Sequence, residues 1–228
     1  MIVADRVTKI FNRGRPEEFT ALSGVSLTIT AGEAVVLMGP SGSGKTTLLS
    51  ILGALSRPTS GRVQVEGREI TRLPEKSLSS IRRRTFGFVF PQPHLVRGMR
   101  VIDNVMLPAL PVREPEDGLR ERAQKLLERL GLGCRARARA ETLSSGEAQR
   151  VALARALIFE PKIVIADEPT AHLDTARASE LIALLASLPA EGKTLVIASH
   201  DPLVAEAPFV DRILPMRDGR LLKPDLSP

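Results

Sequence analysis

A chain of 228 residues with 43% hydrophobic content can bury a substantial core as one large domain or two small ones, so a globular protein is the default. Its net charge of +6 and isoelectric point near 10.1 would suit an acidic partner, yet the arginines are spread among Ala and Glu as on solvated helices. Direct nucleic-acid binding is not expected, because the clusters Arg82-Arg83-Arg84 and Arg135-Ala136-Arg137-Ala138-Arg139 are short and there is no Trp or Tyr on which bases could stack.

The single cysteine, Cys134, excludes an internal disulfide and fits a reducing compartment. No apolar run is long enough to cross a bilayer, and no apolar segment of a signal peptide follows Met1 to Arg6. A cytoplasmic location is expected.

Residues 2–10 and 25–30 alternate apolar with polar and predict strands, with a loop at Asn12-Arg13-Gly14-Arg15-Pro16. Phe11, at the loop's edge, is either a core residue or a platform for a flat ring. Residues 34–38 predict a buried strand and 46–55 a helix. Between them runs Gly39-Pro40-Ser41-Gly42-Ser43-Gly44-Lys45-Thr46-Thr47. Glycine, four residues, then Gly-Lys-Thr in a strand-to-helix setting is a P-loop, whose backbone N–H groups approach a polyphosphate closely. The helix N-terminus adds its dipole, Lys45 is expected to reach the β- and γ-phosphates, and the Thr46 hydroxyl to ligate Mg²⁺.

A break at 56–61 precedes a hairpin over 63–70, so an antiparallel β layer flanks the nucleotide core. A short helix from Leu73-Pro74 to Arg84 leads to a buried strand over 85–90, which stops at Pro91-Gln92-Pro93 because neither proline can donate to a ladder. The proline-rich stretch 91–115 reads as an irregular, exposed connection with one short apolar segment at 101–110. An amphipathic helix is predicted over 117–132, with Leu119, Ala123, Leu126, Leu127 and Leu130 on one face. Leu143-Ser144-Ser145-Gly146-Glu147 then opens a helix that ends before Pro161, and its turn can offer N–H groups and a serine hydroxyl to an anion.

Residues 162–168 form an apolar strand whose tip carries Asp167 and Glu168, suited to holding a metal and polarising an attacking water respectively. A helix over 174–188 and a buried strand over 194–199 follow, and His200 at the end of that strand is placed for a γ-phosphate contact. Residues 212–216 and 219–222 close a hairpin. Strands alternating with helices predict an α/β fold: a P-loop NTPase core with a mostly parallel sheet, an antiparallel β layer and a helical insertion. The whole chain reads as one domain, with a nucleotide-binding core at 1–90 and 160–228 and a helical subdomain at about 91–159.

These motifs, in this order, resemble the ATP-binding subunit of ABC transporters across essentially the whole chain. The resemblance makes Leu143 to Glu147 the signature, Ala171-His172-Leu173-Asp174 the D-loop, His200 the switch histidine and Phe11 the aromatic that stacks on adenine. Asp167-Glu168-Pro169-Thr170 together with Gly87-Phe88-Val89-Phe90 look most like the branch serving lipoprotein release, macrolide export and cell-division permeases. The family has a glutamine directly after the Phe-Val-Phe strand; here Pro91 holds that place, and Gln92 stands in as a metal ligand only if the loop shifts. Ser145 also puts a Cβ where the family's glycine gives close backbone approach. The resemblance implies ATP and Mg²⁺ as cofactors and a head-to-tail homodimer in which Ser144, Ser145, Gly146 and Glu147 of one copy cover the P-loop of the other. It further implies an integral-membrane permease docked near residues 92–115, the chain lying on the inner face of the cell membrane. The alternatives are a soluble ABC ATPase acting on DNA or ribosomes, or a nucleotide-binding adaptor with weak turnover.

Overall fold

In the computed structural model, which describes residues 1–112 and 115–222, the apolar runs lie side by side in one sheet. β3 (Ala34–Met38), β6 (Phe86–Val89), β7 (Ile163–Asp167), β8 (Thr194–Ser199) and β9 (Arg212–Arg217) are parallel, in the spatial order β9-β3-β8-β7-β6. β10 (Arg220–Leu221) closes an antiparallel hairpin at the β9 edge.

Side chains alternate across a pleated strand, so each central strand feeds two cores. Val35, Leu37, Ile163, Ile165, Val196 and Ala198 enter one; Ala34, Val36, Val164, Ala166, Leu195 and Ile197 enter the other. The first core is covered by α1 (Lys45–Leu52) and by an antiparallel sheet of β1 (Ile2–Phe11), β2 (Phe19–Ile29), β4 (Ser60–Val65) and β5 (Arg68–Glu69), ordered β2-β1-β4-β5. α2 (Glu75–Thr85) adds Leu78 to the same core. The second core is filled by α3 (Val101–Met106), α4 (Glu116–Arg129), α5 (Ser145–Leu157) and α6 (Thr175–Ala190), through residues such as Val105, Leu127, Leu153 and Leu185. Each fully buried leucine of this kind contributes about 1.5–3 kcal/mol.

Several boundaries differ from expectation. β2 begins at Phe19, six residues before the predicted strand, because Gly24 at φ 64° interrupts the alternation that marks a strand. The stretch 101–109 is not an exposed connection: α3 is helical, and Val101, Ile102, Val105 and Ala109 are buried in the second core. The prolines Pro108 and Pro111 sit in the 3-10 helix that follows, Leu107–Val112, rather than within α3. The helix expected over 117–132 is α4, ending at Arg129. α1 stops at Leu52 with Gly53 as its cap, where a Cβ would meet the Phe88 ring at 2.6 Å.

Candidate active site

Ligand sites in such sheets lie beyond the carboxyl ends of the strands. Here Gly39 follows β3, Glu168 follows β7, His200 follows β8 and Asp218 follows β9. They surround a cleft of about 630 Å³, which residues 41–47 of the P-loop share with Glu168, His200, Phe19, Asp218 and Gly219.

Gly44 caps α1 at φ 100°, and a Cβ there would sit 2.7 Å from the Ala21 carbonyl oxygen, so no other residue keeps the loop this close to β2. Ser43 N–H donates to Pro40 O at 3.2 Å, and Gly219 N–H donates to Ser43 O at 3.0 Å, which ties the loop to the β9–β10 turn. The Ser43 hydroxyl is buried without a partner among the described residues. Together with the first-turn N–H groups of α1, which have no intrahelical acceptor, it forms a set of donors aimed at an anion. That donor set fits a polyphosphate.

Lys45 is buried and its ammonium donates to Gly39 O at 2.6 Å and Pro40 O at 3.1 Å, with Glu168 Oε1 3.5 Å away. The Thr46 hydroxyl donates to Asp167 Oδ1 at 3.1 Å. Burial pushes the Asp167 carboxyl above its ordinary value, the neighbouring Glu168 charge adds to this, and the Thr46 hydrogen bond and Lys45 oppose it. A hydroxyl and a buried carboxylate are hard oxygen donors, which suits Mg²⁺ and gives a cation a charge to offset.

Glu168 stands at φ 43°, a conformation that costs a non-glycine residue about 1–3 kcal/mol and that is held by its N–H to Ala198 O at 2.8 Å. The bend turns its carboxylate back into the cleft, where Oε2 lies 2.9 Å from His200 Nδ1. His200 is otherwise mostly exposed.

Phe11 is neither in the core nor in the lining of the cleft. Its ring stacks on Phe19 at 5.2 Å and 15°, with the Lys9 ammonium 5.0 Å from its centre, and it is Phe19 that lines the cleft. Sequence reading missed Phe19, Asp218 and Gly219; the available signal was an aromatic directly before Thr20-Ala21-Leu22 at the start of a strand. Gln92 is exposed and does not line the cleft.

The signature residues are likewise elsewhere. Ser144 caps α5, accepting from Glu147 N–H at 3.3 Å while Glu147 Oε2 accepts from Ser144 N–H at 2.8 Å. Ser145 is the first helical residue and has no positive φ, so its Cβ brings no backbone strain; its hydroxyl lies 3.5 Å from Arg177 Nη1. Gly146 lets Arg177 lie flat on the helix start, where a Cβ would meet Arg177 Cδ at 3.1 Å.

Residues 22–171 match the family model described as ABC transporter. The chain belongs to the ABC transporter family. It is 44% identical over 216 residues to an uncharacterised ABC transporter ATP-binding protein of Thermotoga maritima, covering 94% of this chain and 91% of that one. A macrolide export ATP-binding/permease protein of Paracoccus denitrificans is 46% identical over 201 residues, 88% of this chain but only 30% of the relative, so the chain spans about a third of such relatives. Among solved structures, the dimeric ABC transporter cassette MJ0796 superposes with a TM-score of 0.89 at 39% identity, over 98% of this chain and 97% of that one. A second structure of that cassette, a dimer in a post-hydrolysis state bound to ADP and Pi, matches equally well. The α/β architecture is thus that of the ABC transporter cassettes. Among the described residues no helix is long and apolar enough to cross a membrane.

Proposed function

We propose that this ABC ATPase binds ATP between two head-to-tail copies of itself, hydrolyses it, and passes the closing and opening movement to a separate membrane permease. The observation that carries the reading is the division of the site within one chain: the P-loop donors, Thr46 and Glu168 share one cleft, with Asp167 hydrogen-bonded to Thr46, while the capped start of α5 with Ser144 and Gly146 lies outside it. A second copy, turned about, would bring that helix start and its positive dipole end over the γ-phosphate.

In this reading Lys45 and the P-loop N–H groups bind the β- and γ-phosphates, and Phe19, backed by Phe11, offers the flat surface for adenine. Thr46 and Asp167 would hold Mg²⁺, which neutralises phosphate charge when bound. Glu168 accepts a proton from the attacking water, the water oxygen bonds to the γ-phosphorus, and the bond to the β-phosphate oxygen breaks to give ADP and phosphate. His200, 2.9 Å from Glu168, orients that carboxylate and reaches the γ-phosphate.

The permease docks near residues 92–115. Beside Pro108 the rings of Phe86, Phe88 and Phe90, 5.8 and 6.1 Å apart, line an apolar cavity of about 380 Å³ rimmed by Arg83 and Arg155, a shape suited to an amphipathic helix. Docking there places the chain on the inner face of the cell membrane. The test is Mg²⁺-dependent ATP turnover by the chain and by Glu168→Gln, which is expected to be slower by about 10²–10⁴-fold. Equal rates in the two proteins would overturn the assignment.

A further inference from the structure

The antiparallel layer carries a second cavity that ATP hydrolysis does not use. Around Arg6, β1 holds one residue more than either neighbour: on β4, Asp5 faces Arg62 and Thr8 faces Ser60, while on β2, Ala4 faces Leu27 and Val7 faces Val25. This bulge puts Arg6 at φ 47°, a conformation that non-glycine residues rarely adopt. The Arg6 N–H is held by Ser26 Oγ at 2.8 Å. β4 can close against the bulge only because residue 61 is glycine, at φ 88°, where a Cβ would lie 2.4 Å from the Arg6 carbonyl oxygen. The strained turn is therefore built into both strands. It opens a cavity of about 840 Å³.

Four arginines line that cavity, Arg6, Arg57, Arg62 and Arg72, against one acidic residue, Asp5. Asp5 is already engaged by Arg6 at 3.4 Å, and Arg57 donates to Leu73 O at 2.6 Å. The side chains of Arg62 and Arg72 make no hydrogen bond or ion pair among the described residues. The Thr8 hydroxyl oxygen accepts from Gly24 N–H at 3.0 Å, which leaves its proton for another acceptor at the cavity wall. Like charges gathered in a concave surface repel one another, and a solvated face would spread them apart. Guanidinium forks in such a group match the oxygens of a multiply charged phosphate.

We propose that this cavity is a binding site for a phosphate-bearing anion, separate from the ATP cleft. Its ligand is a phosphoryl group carried either by a soluble compound or by a phospholipid headgroup. The experiment titrates pyrophosphate into the whole chain saturated with ADP, so that the P-loop is already filled, and in parallel measures flotation with phosphatidylcholine vesicles containing phosphatidylglycerol. Both are repeated on the double variant Arg62→Gln/Arg72→Gln, whose melting temperature and ADP affinity are expected to match the parent because both residues are exposed and unpaired. Binding of either probe is expected to weaken by roughly tenfold or more in the variant, the effect of losing one charge-assisted hydrogen bond or more. A loss confined to pyrophosphate assigns a soluble ligand, and a loss confined to vesicles assigns a headgroup. If the double variant melts early, the single variants are read instead, each expected to weaken binding several-fold. No binding of either probe by the parent, or binding that the substitutions leave unchanged, overturns the proposal.

Discussion

Among the described residues the Lys45 ammonium has three oxygen neighbours, Gly39 O, Pro40 O and Glu168 Oε1, so a γ-phosphate arriving at it would compete directly with the Glu168 carboxylate. In the proposed mechanism, displacing that carboxylate from Lys45 would free it to face water and so link phosphate binding to exposure of the base. Gln92 shows the opposite situation. Gln149 Nε2 donates to Phe90 O at 2.9 Å, while Arg155 donates to Pro93 O at 2.5 Å and to His94 O at 3.0 Å, so the backbone on both sides of Gln92 is fixed with its side chain in solvent. Gln92→Ala is therefore expected to leave turnover within about 0.5 kcal/mol of the parent, roughly twofold, as for an exposed side chain without partners. A tenfold fall in a steady-state ATPase assay would mean that the loop shifts and that Gln92 does reach the metal. The P-loop, Glu168 and His200, each expected at the end of a parallel strand, do meet in one cleft, with Asp167 against Thr46, because strand ends that are far apart in sequence share one edge of the sheet. Phe19 was not legible in the sequence, since its one local signal, an aromatic directly before Thr20-Ala21-Leu22, does not tell a ring facing a cleft from one facing solvent. The strain at Glu168 and Arg6 was equally hidden, because neither is a residue type that announces a positive φ.

At the scale of elements, the start of α5 is fixed by charge as well as by hydrogen bonds. The Glu147 carboxyl is held below its ordinary value, first by Ser144 N–H and then by Arg135, whose Nε lies 3.1 Å from Glu147 Oε1. A carboxyl whose pKa is lowered on folding adds stability that is present above its unfolded value and is lost as pH falls through the folded one. Glu147→Gln keeps the shape of the capping box without the charge. The difference in melting temperature between parent and variant is expected to be largest above the ordinary value of 4.5 and to shrink at more acid pH. A pH-independent difference would mean that the cap works without its charge. Elements whose two faces differ were easy to find in sequence: α4 has one apolar stripe, and its buried Leu119, Ala123 and Leu127 were all predicted. α3 was missed because it is only six residues long and buried, so neither periodicity nor length could separate it from the prolines that follow. β2 was shortened for a related reason, as the register shifts against β1 break its period of two.

For the whole molecule, the decisive matter is whether one chain contains a complete site. Its cleft holds the P-loop and Glu168, yet the α5 N-terminus with Ser144 and Gly146 lies elsewhere, braced by Arg177 at the start of α6. ATP bound to one copy would therefore present its γ-phosphate to a second copy, and the interface would last as long as the γ-phosphate does. Glu168→Gln isolates this step. The amide keeps the shape of the side chain, leaves Thr46 and Asp167 for the metal and Lys45 for the phosphates, and removes the group that takes the proton from water. Hydrolysis stops while binding continues, so the variant is expected to elute from size-exclusion chromatography as a dimer with ATP and as a monomer with ADP. The parent, which clears its ATP, is expected to elute mainly as a monomer in both. A variant that retains ATP without hydrolysing it and still elutes as a monomer would count against the sandwich. In that case α5 would serve only to pack the helical layer against the sheet. Combining Ser144→Ala with Glu168→Gln separates the two roles, because loss of the cap costs the fold only about 1 kcal/mol and leaves the monomer folded. Loss of the ATP-dependent dimer in the combined variant, with ATP still bound, places Ser144 at the other copy's phosphate.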